Sequence, residues 1–172
     1  MSFKEHKMHA SKKVNCKVIT VSDTRDKDSD KSGKLMIDLL EQEGHNVVDY
    51  RIVKDESSPI TNAILEGCSR EDIDVILTNG GTGIAKRDVT IETVQKLLDK
   101  EMVGFGEIFR MLSYQEDIGS AAILSRAIAG VINNKAIFST PGSTGAVKLA
   151  MNKLILPEIG HVVKELKKDI EK

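Results

Sequence analysis

The chain has 172 residues, of which 40% are hydrophobic and 30% charged, a composition typical of one soluble globular domain. Its net charge of −1 gives no general attraction for nucleic acid or anionic membranes, and 3% aromatic residues is too few for a base-stacking platform. Because neither Cys16 nor Cys68 has a partner at zinc-ligand spacing and no apolar run could span a bilayer, we expect a cytoplasmic protein with reduced thiols.

Residues 1–13 carry no hydrophobic periodicity and predict a flexible tail in front of a single domain over 14–172. In the domain, apolar runs alternate with segments of helical periodicity. The predicted strands are residues 16–21, 47–53, 73–77 and 135–139. The predicted helices are residues 35–44, 58–69 with Pro59 at the first helical position, 91–100, 108–112, 121–129 and 154–170, with another opening at Ala146. This alternation predicts an α/β fold with a three-layer, doubly wound and mostly parallel sheet.

One strand-to-helix turn is rich in glycine. The third predicted strand is followed by Gly-Gly-Thr-Gly at 80–83 and then by Asp88, before helical periodicity resumes at Ile91. Successive backbone amides in such a turn, next to a helix N-terminus, form an anion site. The alternative is a structural turn in which Asp88 or Thr90 caps the helix. The turn alone does not decide between the two.

Three more polar turns follow predicted strands. The carboxyl ends of parallel strands share one edge of a sheet, so these turns should converge on one pocket. Its candidate residues are carboxylates and hydroxyls: Asp23, Asp55, Asp88, Ser22, Thr24, Thr82, Ser139 and Ser143. Carboxylates can hold Mg²⁺, while amides and hydroxyls can bind phosphate oxygens. This combination favours phosphoryl or nucleotidyl transfer.

Other chemistry fits these turns less well. None of them contains a histidine, and Pro-Gly-Ser at 141–143 is not the Gly-x-Ser-x-Gly elbow of hydrolases, which argues against a catalytic Ser143. No Walker A sequence occurs. The motif at 80–83 also lacks the third spaced glycine of the dinucleotide-binding fingerprint.

Several segments together, most of them in predicted turns, resemble the MoaB/MogA-type molybdopterin-binding family of molybdenum cofactor biosynthesis. They are Val21-Ser22-Asp23-Thr24, Asp30-Lys31-Ser32-Gly33, Asp55, Gly80-Gly81-Thr82-Gly83 with Arg87-Asp88-Val89-Thr90, Gly104-Phe105-Gly106-Glu107, Ile123-Leu124-Ser125-Arg126 and Pro141-Gly142-Ser143. The resemblance covers residues 14–165, and the segments 107–114 and 126–130 are most similar to the B-type branch. One departure is Lys54, where many relatives carry proline.

The resemblance implies a parallel α/β fold assembled as a homotrimer, or as a hexamer made of two trimers. It implies two substrates, ATP and molybdopterin, a pterin dithiolene with a terminal phosphate. The adenylyl group of Mg-ATP would pass to that phosphate and release pyrophosphate, with Mg²⁺ as cofactor. Other molybdenum cofactor biosynthesis proteins are implied partners, whereas nucleic acid and membranes are not expected.

The resemblance also assigns residues. By position, Asp55 and Asp88 match the essential carboxylates of the family, and we expect them to hold Mg²⁺ through the substrate phosphates. The expected substrate- and nucleotide-binding residues are Ser22, Asp23, Thr24, Ser32, Gly80, Gly81, Thr82, Gly83, Pro141, Gly142 and Ser143. Glu107 and Arg126 match the family as well, either in the site or in subunit contacts and packing.

Two alternatives to an adenylyltransferase stay open. One is a non-catalytic molybdopterin-binding or carrier protein of the same pathway, because B-type members are not uniformly assigned catalytic activity. The other is a scaffold that docks partner peptides, which no linker or second domain in the chain supports. The presence of both Asp55 and Asp88 favours the enzyme.

Overall fold

The computed structural model describes residue 2 and residues 13–170. Its strands are β1 (Asn15–Val21), β2 (Asn46–Val53), β3 (Val75–Asn79), β4 (Lys100–Glu101), β5 (Ile128–Ile132) and β6 (Lys135–Thr140). Its helices are α1 (Lys31–Gln42), α2 (Ser57–Ser69), α3 (Thr90–Leu97), α4 (Val103–Glu116), α5 (Thr144–Ala150) and α6 (Leu156–Lys167). A 3₁₀ turn covers Gly119–Leu124, and a π-helical stretch, Met151–Ile155, joins α5 to α6. The tail predicted for residues 1–13 falls almost entirely outside the described residues.

The strands form one sheet in the order β2-β1-β3-β6-β5-β4. The first four strands are parallel to one another, while β5 is antiparallel to both β6 and β4. The predicted doubly wound, mostly parallel sheet is therefore confirmed. Since β2, β1, β3 and β6 run in the same direction, the segments that follow them all leave from one edge, which we call the carboxyl edge.

Two apolar cores cover the two faces of the sheet, which gives the three layers. One core lies under α1, α4, α5 and α6, and the other under α2 and α3. Alternate residues of β3 serve both cores: Leu77 faces the first and Ile76 the second. The two free cysteines are likewise divided, Cys16 in the first core and Cys68 in the second. Burial raises the pKa of the Cys16 thiol to about 12.

The helix predicted for residues 121–129 does not form. Its first part is the 3₁₀ turn, and its last two residues begin β5. Strand β5 pairs with β6 through a two-residue turn in which Asn133 and Asn134 have φ of 48° and 62°. Asparagine tolerates this left-handed conformation, which two-residue hairpins require. Pairing with β6 therefore outweighs the helical spacing of the apolar residues.

Other element boundaries differ from the prediction. Helix α4 is longer than the predicted 108–112, and α3 ends at Leu97 because Leu98 is extended and leads towards β4. Pro59 is the third residue of α2 rather than the first, because the helix begins at Ser57. None of the helices in the described part of the chain is long and apolar enough to cross a membrane.

Candidate functional site

The segments after β1, β2, β3 and β6 meet at the carboxyl edge, as predicted. The amide of Asp55, after β2, donates to Oδ1 of Asp23, after β1, over 3.1 Å. The amide of Val89 donates to Oδ1 of Asp55 over 3.3 Å. The amide of Gly80 donates to the carbonyl of Thr140 over 3.1 Å, which joins the glycine-rich turn to the end of β6. Four separate segments thus form one site.

Two glycines of the turn lie where a side chain would collide with a carboxylate. Gly81 has φ of 67°, and a Cβ there would lie 2.9 Å from Oδ1 of Asp55. A Cβ at Gly83 would lie 2.5 Å from Oδ2 of Asp88. Glycine at these positions therefore lets the backbone approach both predicted catalytic acids.

The backbone of this turn has occupied carbonyls and free amides. The Gly81 carbonyl accepts from the Thr90 amide over 3.0 Å. Arg126 donates to the carbonyls of Thr82 and Gly83 over 2.9 and 2.6 Å. Four amides have no acceptor among the described residues, those of Gly81, Thr82, Gly83 and Ile84. A row of free amides of this kind can bind an anion.

Asp55 is buried among other acids. Burial raises its pKa, the Val89 amide opposes that effect, and the carboxylates of Asp88 and Asp23 raise the pKa further. A cation between these acids would relieve the repulsion. In the described part of the chain, no group of three or more His, Cys, Asp or Glu residues could hold a metal ion by itself. A Mg²⁺ ion at Asp55 and Asp88 would need further oxygen ligands from substrate phosphates and water, which Mg²⁺ commonly takes. The Mg²⁺ predicted at these two acids stays a prediction.

Neither Asp88 nor Thr90 caps α3, so the capping role in the structural alternative is wrong. The cap position is Val89, and no side chain bonds the first turn there. Asp88 instead accepts a hydrogen bond from the Ala85 amide over 3.1 Å, which closes the turn on itself. Oγ1 of Thr90 is buried beside Gly81 and has no hydrogen-bond partner in the described residues. Because buried polar groups are usually satisfied, this hydroxyl favours a polar ligand at the turn.

Arg87 spans the outer side of the site. Its Nε donates to Oδ2 of Asp23 over 2.7 Å, and its Nη2 donates to Oε1 of Glu56 over 3.1 Å. The hydrogen bond from Arg87 lowers the pKa of Asp23, and the bond from the Asp55 amide lowers it further. The glycine-rich turn is thereby linked to the segments after β1 and β2, and one cation lies beside the acids.

A buried polar network supports the site from below. Asp30, at the start of α1, accepts from the hydroxyl of Thr20 over 2.6 Å, from the phenol of Tyr50 and from the amide of Gly33 over 3.0 Å. Ser32 was predicted to bind a ligand. The structure places it inside this network, where it is buried and its hydroxyl donates to the side-chain carbonyl of Asn79 over 2.7 Å.

Arg25 connects the network to the segment after β6. Its Nη1 donates to Ser32 over 2.6 Å, and its Nη2 donates to the carbonyl of Gly142 over 3.0 Å. Its guanidinium also lies 3.6 Å from a carboxylate oxygen of Asp30. Neither Arg25 nor Arg87 was among the predicted site residues. Each of these polar turns contains a basic residue that could have indicated a role in the site, but basic residues in turns are usually solvated.

The remaining predicted residues shape their own turns. Oγ of Ser22 accepts from the amides of Thr24 and Arg25 over 3.2 and 3.1 Å. Ser143 caps α5 by accepting from the Ala146 amide over 3.2 Å.

Pro141 and Gly142 adjoin the glycine-rich turn, because a Cβ at Gly142 would lie 3.0 Å from the Cα of Gly80. Glu107 lies elsewhere, exposed on α4, with no hydrogen bond or ion pair to any residue that the structure describes.

Comparison with known sequences identifies the family. The family model described as "Probable molybdopterin binding domain" matches residues 17–161. The chain belongs to this molybdopterin-binding family. Molybdenum cofactor biosynthesis protein B of Bacillus subtilis (strain 168) is 64% identical over 169 residues, which cover 98% of this chain and 99% of that protein. The resemblance inferred from the motifs is confirmed.

Solved structures agree with this membership. A crystal structure of molybdenum cofactor biosynthesis protein B matches with a TM-score of 0.91 and 62% identity, covering 93% of this chain and 99% of that one. The tungsten cofactor synthesizing protein MoaB from Pyrococcus furiosus matches with a TM-score of 0.82 and 41% identity, covering 92% and 100%. The predicted likeness to B-type members is confirmed too.

Proposed function

We propose that this protein acts in molybdenum cofactor biosynthesis, where it binds molybdopterin and transfers the adenylyl group of Mg-ATP to the terminal phosphate of the pterin. One observation carries the proposal: the buried Asp55 lies with Asp88 beside a turn whose amides are free to bind phosphate. Membership of the family supports molybdopterin as the substrate. The crowded carboxylates support a role for a divalent cation.

The proposed reaction exchanges one phosphoanhydride bond for another. An oxygen of the pterin phosphate attacks the α-phosphorus of ATP, the bond from that phosphorus to the β-phosphate oxygen breaks, and pyrophosphate leaves. Such a reaction depends on positioning and charge neutralisation more than on covalent help from the protein. Bound Mg²⁺ would supply charge neutralisation at the phosphate oxygens.

Each part of the site has a role in this proposal. Asp55 and Asp88 would hold the cation, and the free amides of residues 81–84 would bind oxygens of the leaving pyrophosphate. Arg87, close to Asp23 at the outer side, would balance part of the charge of the bound phosphates. The segment at Pro141–Ser143 would form the opposite wall, where Arg25 holds the carbonyl of Gly142.

The direct test incubates the protein with molybdopterin and Mg-ATP and measures pyrophosphate together with the adenylylated pterin. We expect the two products in equal amounts, and none when Mg²⁺ is chelated. Wild-type protein that binds molybdopterin but forms neither product would refute the catalytic proposal.

That result would instead support a non-catalytic molybdopterin-binding or carrier protein. The matching family model favours this second candidate, because its description gives molybdopterin binding and no transfer reaction. The two candidates predict the same pterin affinity and differ only in product formation.

We also propose that the protein assembles as a homotrimer, or as a hexamer made of two such trimers. The support is a set of exposed apolar side chains on α4, on the 3₁₀ turn that follows it and on the short link between them: Ile108, Met111, Tyr114, Ile118, Ile123 and Leu124. Ile123 is 84% exposed, which is unusual for an isoleucine without a partner surface. A monomer in light scattering at micromolar concentration would contradict the proposal.

A further inference from the structure

The carbonyls of the glycine-rich turn are held by an arginine from a distant part of the chain. Arg126 donates from Nε to the carbonyl of Thr82 over 2.9 Å and from Nη2 to the carbonyl of Gly83 over 2.6 Å. Its other edge binds both carboxylate oxygens of Glu92 in the first turn of α3. One planar guanidinium therefore connects the turn with the helix that follows it.

The antiparallel hairpin explains how Arg126 reaches the turn. Arg126 lies two residues before the first residue of β5, and β5 runs antiparallel to β6. The amino end of β5 is therefore beside the carboxyl end of β6, at the edge where the glycine-rich turn lies. A parallel strand in this place would have put Arg126 at the opposite edge of the sheet.

The contacts of Arg126 determine where two amides point. A peptide unit is planar, so the carbonyl of one residue and the amide of the next are fixed together and point in opposite directions. Holding the carbonyl of Thr82 therefore orients the amide of Gly83, and holding the carbonyl of Gly83 orients the amide of Ile84. Both amides lack an acceptor among the described residues. Arg126 contacts the turn on the side where its carbonyls point and leaves the side of the amides open.

We propose that Arg126 is a positioning residue for phosphate binding, which orients the amides of Gly83 and Ile84 towards a phosphate or pyrophosphate group without touching that group itself. The inference rests on the proposed function only for the identity of the substrate that carries the phosphate. Glu92 keeps the guanidinium in place, and the position of this acid in the first turn of α3 also suits the helix dipole.

A second arginine on the molecule offers a matched control. Arg70 binds Asp72 with two hydrogen bonds of 2.9 and 2.7 Å, as Arg126 binds Glu92, but it holds no carbonyl of the glycine-rich turn. The two side chains are similarly exposed, 35% for Arg70 and 28% for Arg126. Arg70 precedes β3 and so lies at the opposite edge of the sheet.

The experiment compares wild type, Arg126→Gln, Arg126→Lys and the control Arg70→Gln. Calorimetry measures binding of pyrophosphate with Mg²⁺, and hydrogen exchange measures protection of the segment 80–90, which contains the bonded amides of Ala85, Asp88 and Thr90. We expect Arg126→Gln to weaken pyrophosphate binding by about tenfold and to speed exchange in this segment, as loss of a supporting partner does elsewhere. Arg126→Lys should recover part of the affinity, because lysine is a donor without the planar fork. Arg70→Gln should change neither quantity.

Unchanged pyrophosphate affinity and unchanged exchange in folded Arg126→Gln would overturn the proposal, as would wild type that binds no pyrophosphate. If Arg126→Gln does not fold, Glu92→Gln decides, since it loosens the guanidinium and keeps Arg126; it should weaken pyrophosphate binding several-fold, and full affinity would overturn the proposal.

Neither readout needs turnover, so the two proposals can fail separately. Wild type without adenylyl transfer, combined with weakened pyrophosphate binding in Arg126→Gln, refutes the proposed reaction and supports the positioning role. If wild type transfers the adenylyl group and Arg126→Gln keeps the wild-type pyrophosphate affinity and kcat, the proposed reaction is supported and the positioning role is refuted.

Discussion

Asp30 and Asp55 are two buried acids on neighbouring segments of the carboxyl edge, and their surroundings are opposite. Asp30 accepts hydrogen bonds from three hydroxyls and a backbone amide, with an arginine nearby. Asp55 accepts a hydrogen bond from the Val89 amide and lies close to the carboxylates of Asp23 and Asp88.

The pKa values of the two acids move in opposite directions. Burial acts to raise the pKa of Asp30, but the hydroxyls of Thr20 and Tyr50, the Gly33 amide and the charge of Arg25 outweigh it, so the pKa lies below its usual range. Burial raises the pKa of Asp55, and the neighbouring acids add to the effect. A buried acid supplied with donors stabilises the fold. A buried acid among other acids is destabilising by itself and is therefore a candidate for binding a cation.

The largest expected effect is on catalysis. Asp55→Asn keeps the shape and the bond to the Val89 amide but removes the charge that would hold Mg²⁺. We expect kcat for adenylyl transfer to fall by about 10³-fold, with molybdopterin affinity within a few-fold of wild type. Asp38→Asn, an exposed acid on α1, serves as the control and should leave both unchanged. Equal losses in kcat and in pterin affinity would contradict a transition-state role.

Asp30→Ala should have the next largest effect, on stability. It leaves the hydroxyls of Thr20 and Tyr50 without their acceptor and removes the N-cap of α1. We expect the free energy of unfolding in urea, followed by circular dichroism, to drop by about 3 kcal/mol. Asp38→Ala in the same helix should change it by less than about 0.5 kcal/mol. A loss at Asp30 as small as at Asp38 would mean that the network contributes little.

The contributions of the two acids to stability should change with pH in opposite directions. The pKa of Asp55 is raised on folding, so its ionisation lowers stability as pH rises from the unfolded-state pKa through the folded-state value. Asp55→Asn should therefore be more stable than wild type at pH 7, and this advantage should vanish at low pH.

Asp30 behaves in the opposite way. Its contribution is complete above the unfolded-state pKa and is lost as pH falls through the lower folded-state value. The deficit of Asp30→Asn should thus shrink on acidification. Urea curves at several pH values between 3 and 7 give both trends, and parallel trends would show that the contrast is wrong.

The smallest expected effect is thermal stabilisation by ligand. Mg²⁺ with pyrophosphate should raise the Tm of wild type by a few degrees, since binding to the native state stabilises it by mass action. Asp55→Asn should show a much smaller rise, whereas Asp38→Asn should behave like wild type. Differential scanning fluorimetry measures all three, and an equal rise in Asp55→Asn would remove the support for a metal at Asp55.

The parallel part of the fold could be predicted because each strand is an apolar run followed by a polar turn. The carboxyl edge, Asp55 and Asp88 followed from that pattern and from the family motifs. The antiparallel part could not be predicted, because residues 121–129 have helical spacing and only pairing with β6 makes a strand of their last residues. The contacts of Arg126 depend on that pairing, so the sequence could not predict them either.

The buried network was missed for a different reason. Asp30 and Tyr50 are 20 positions apart and meet only when β1 and β2 pair. In the sequence, Asp30 is distinguished only as part of a family motif, and its N-cap bond to Gly33 could be expected from an acid before a helix. Its remaining partners depend on strand register, which the sequence of a single strand does not contain.

The two cysteines allow the opening of each face of the sheet to be measured separately. Cys16 and Cys68 lie on opposite sides of the sheet, and burial raises the pKa of both thiols. A reagent that reacts with thiolates can therefore label each cysteine only when the covering helices move away. Single-cysteine variants, Cys16→Ala and Cys68→Ala, would then report one layer each. The ratio of their labelling rates would reveal whether the helices of the two faces come apart together or in sequence.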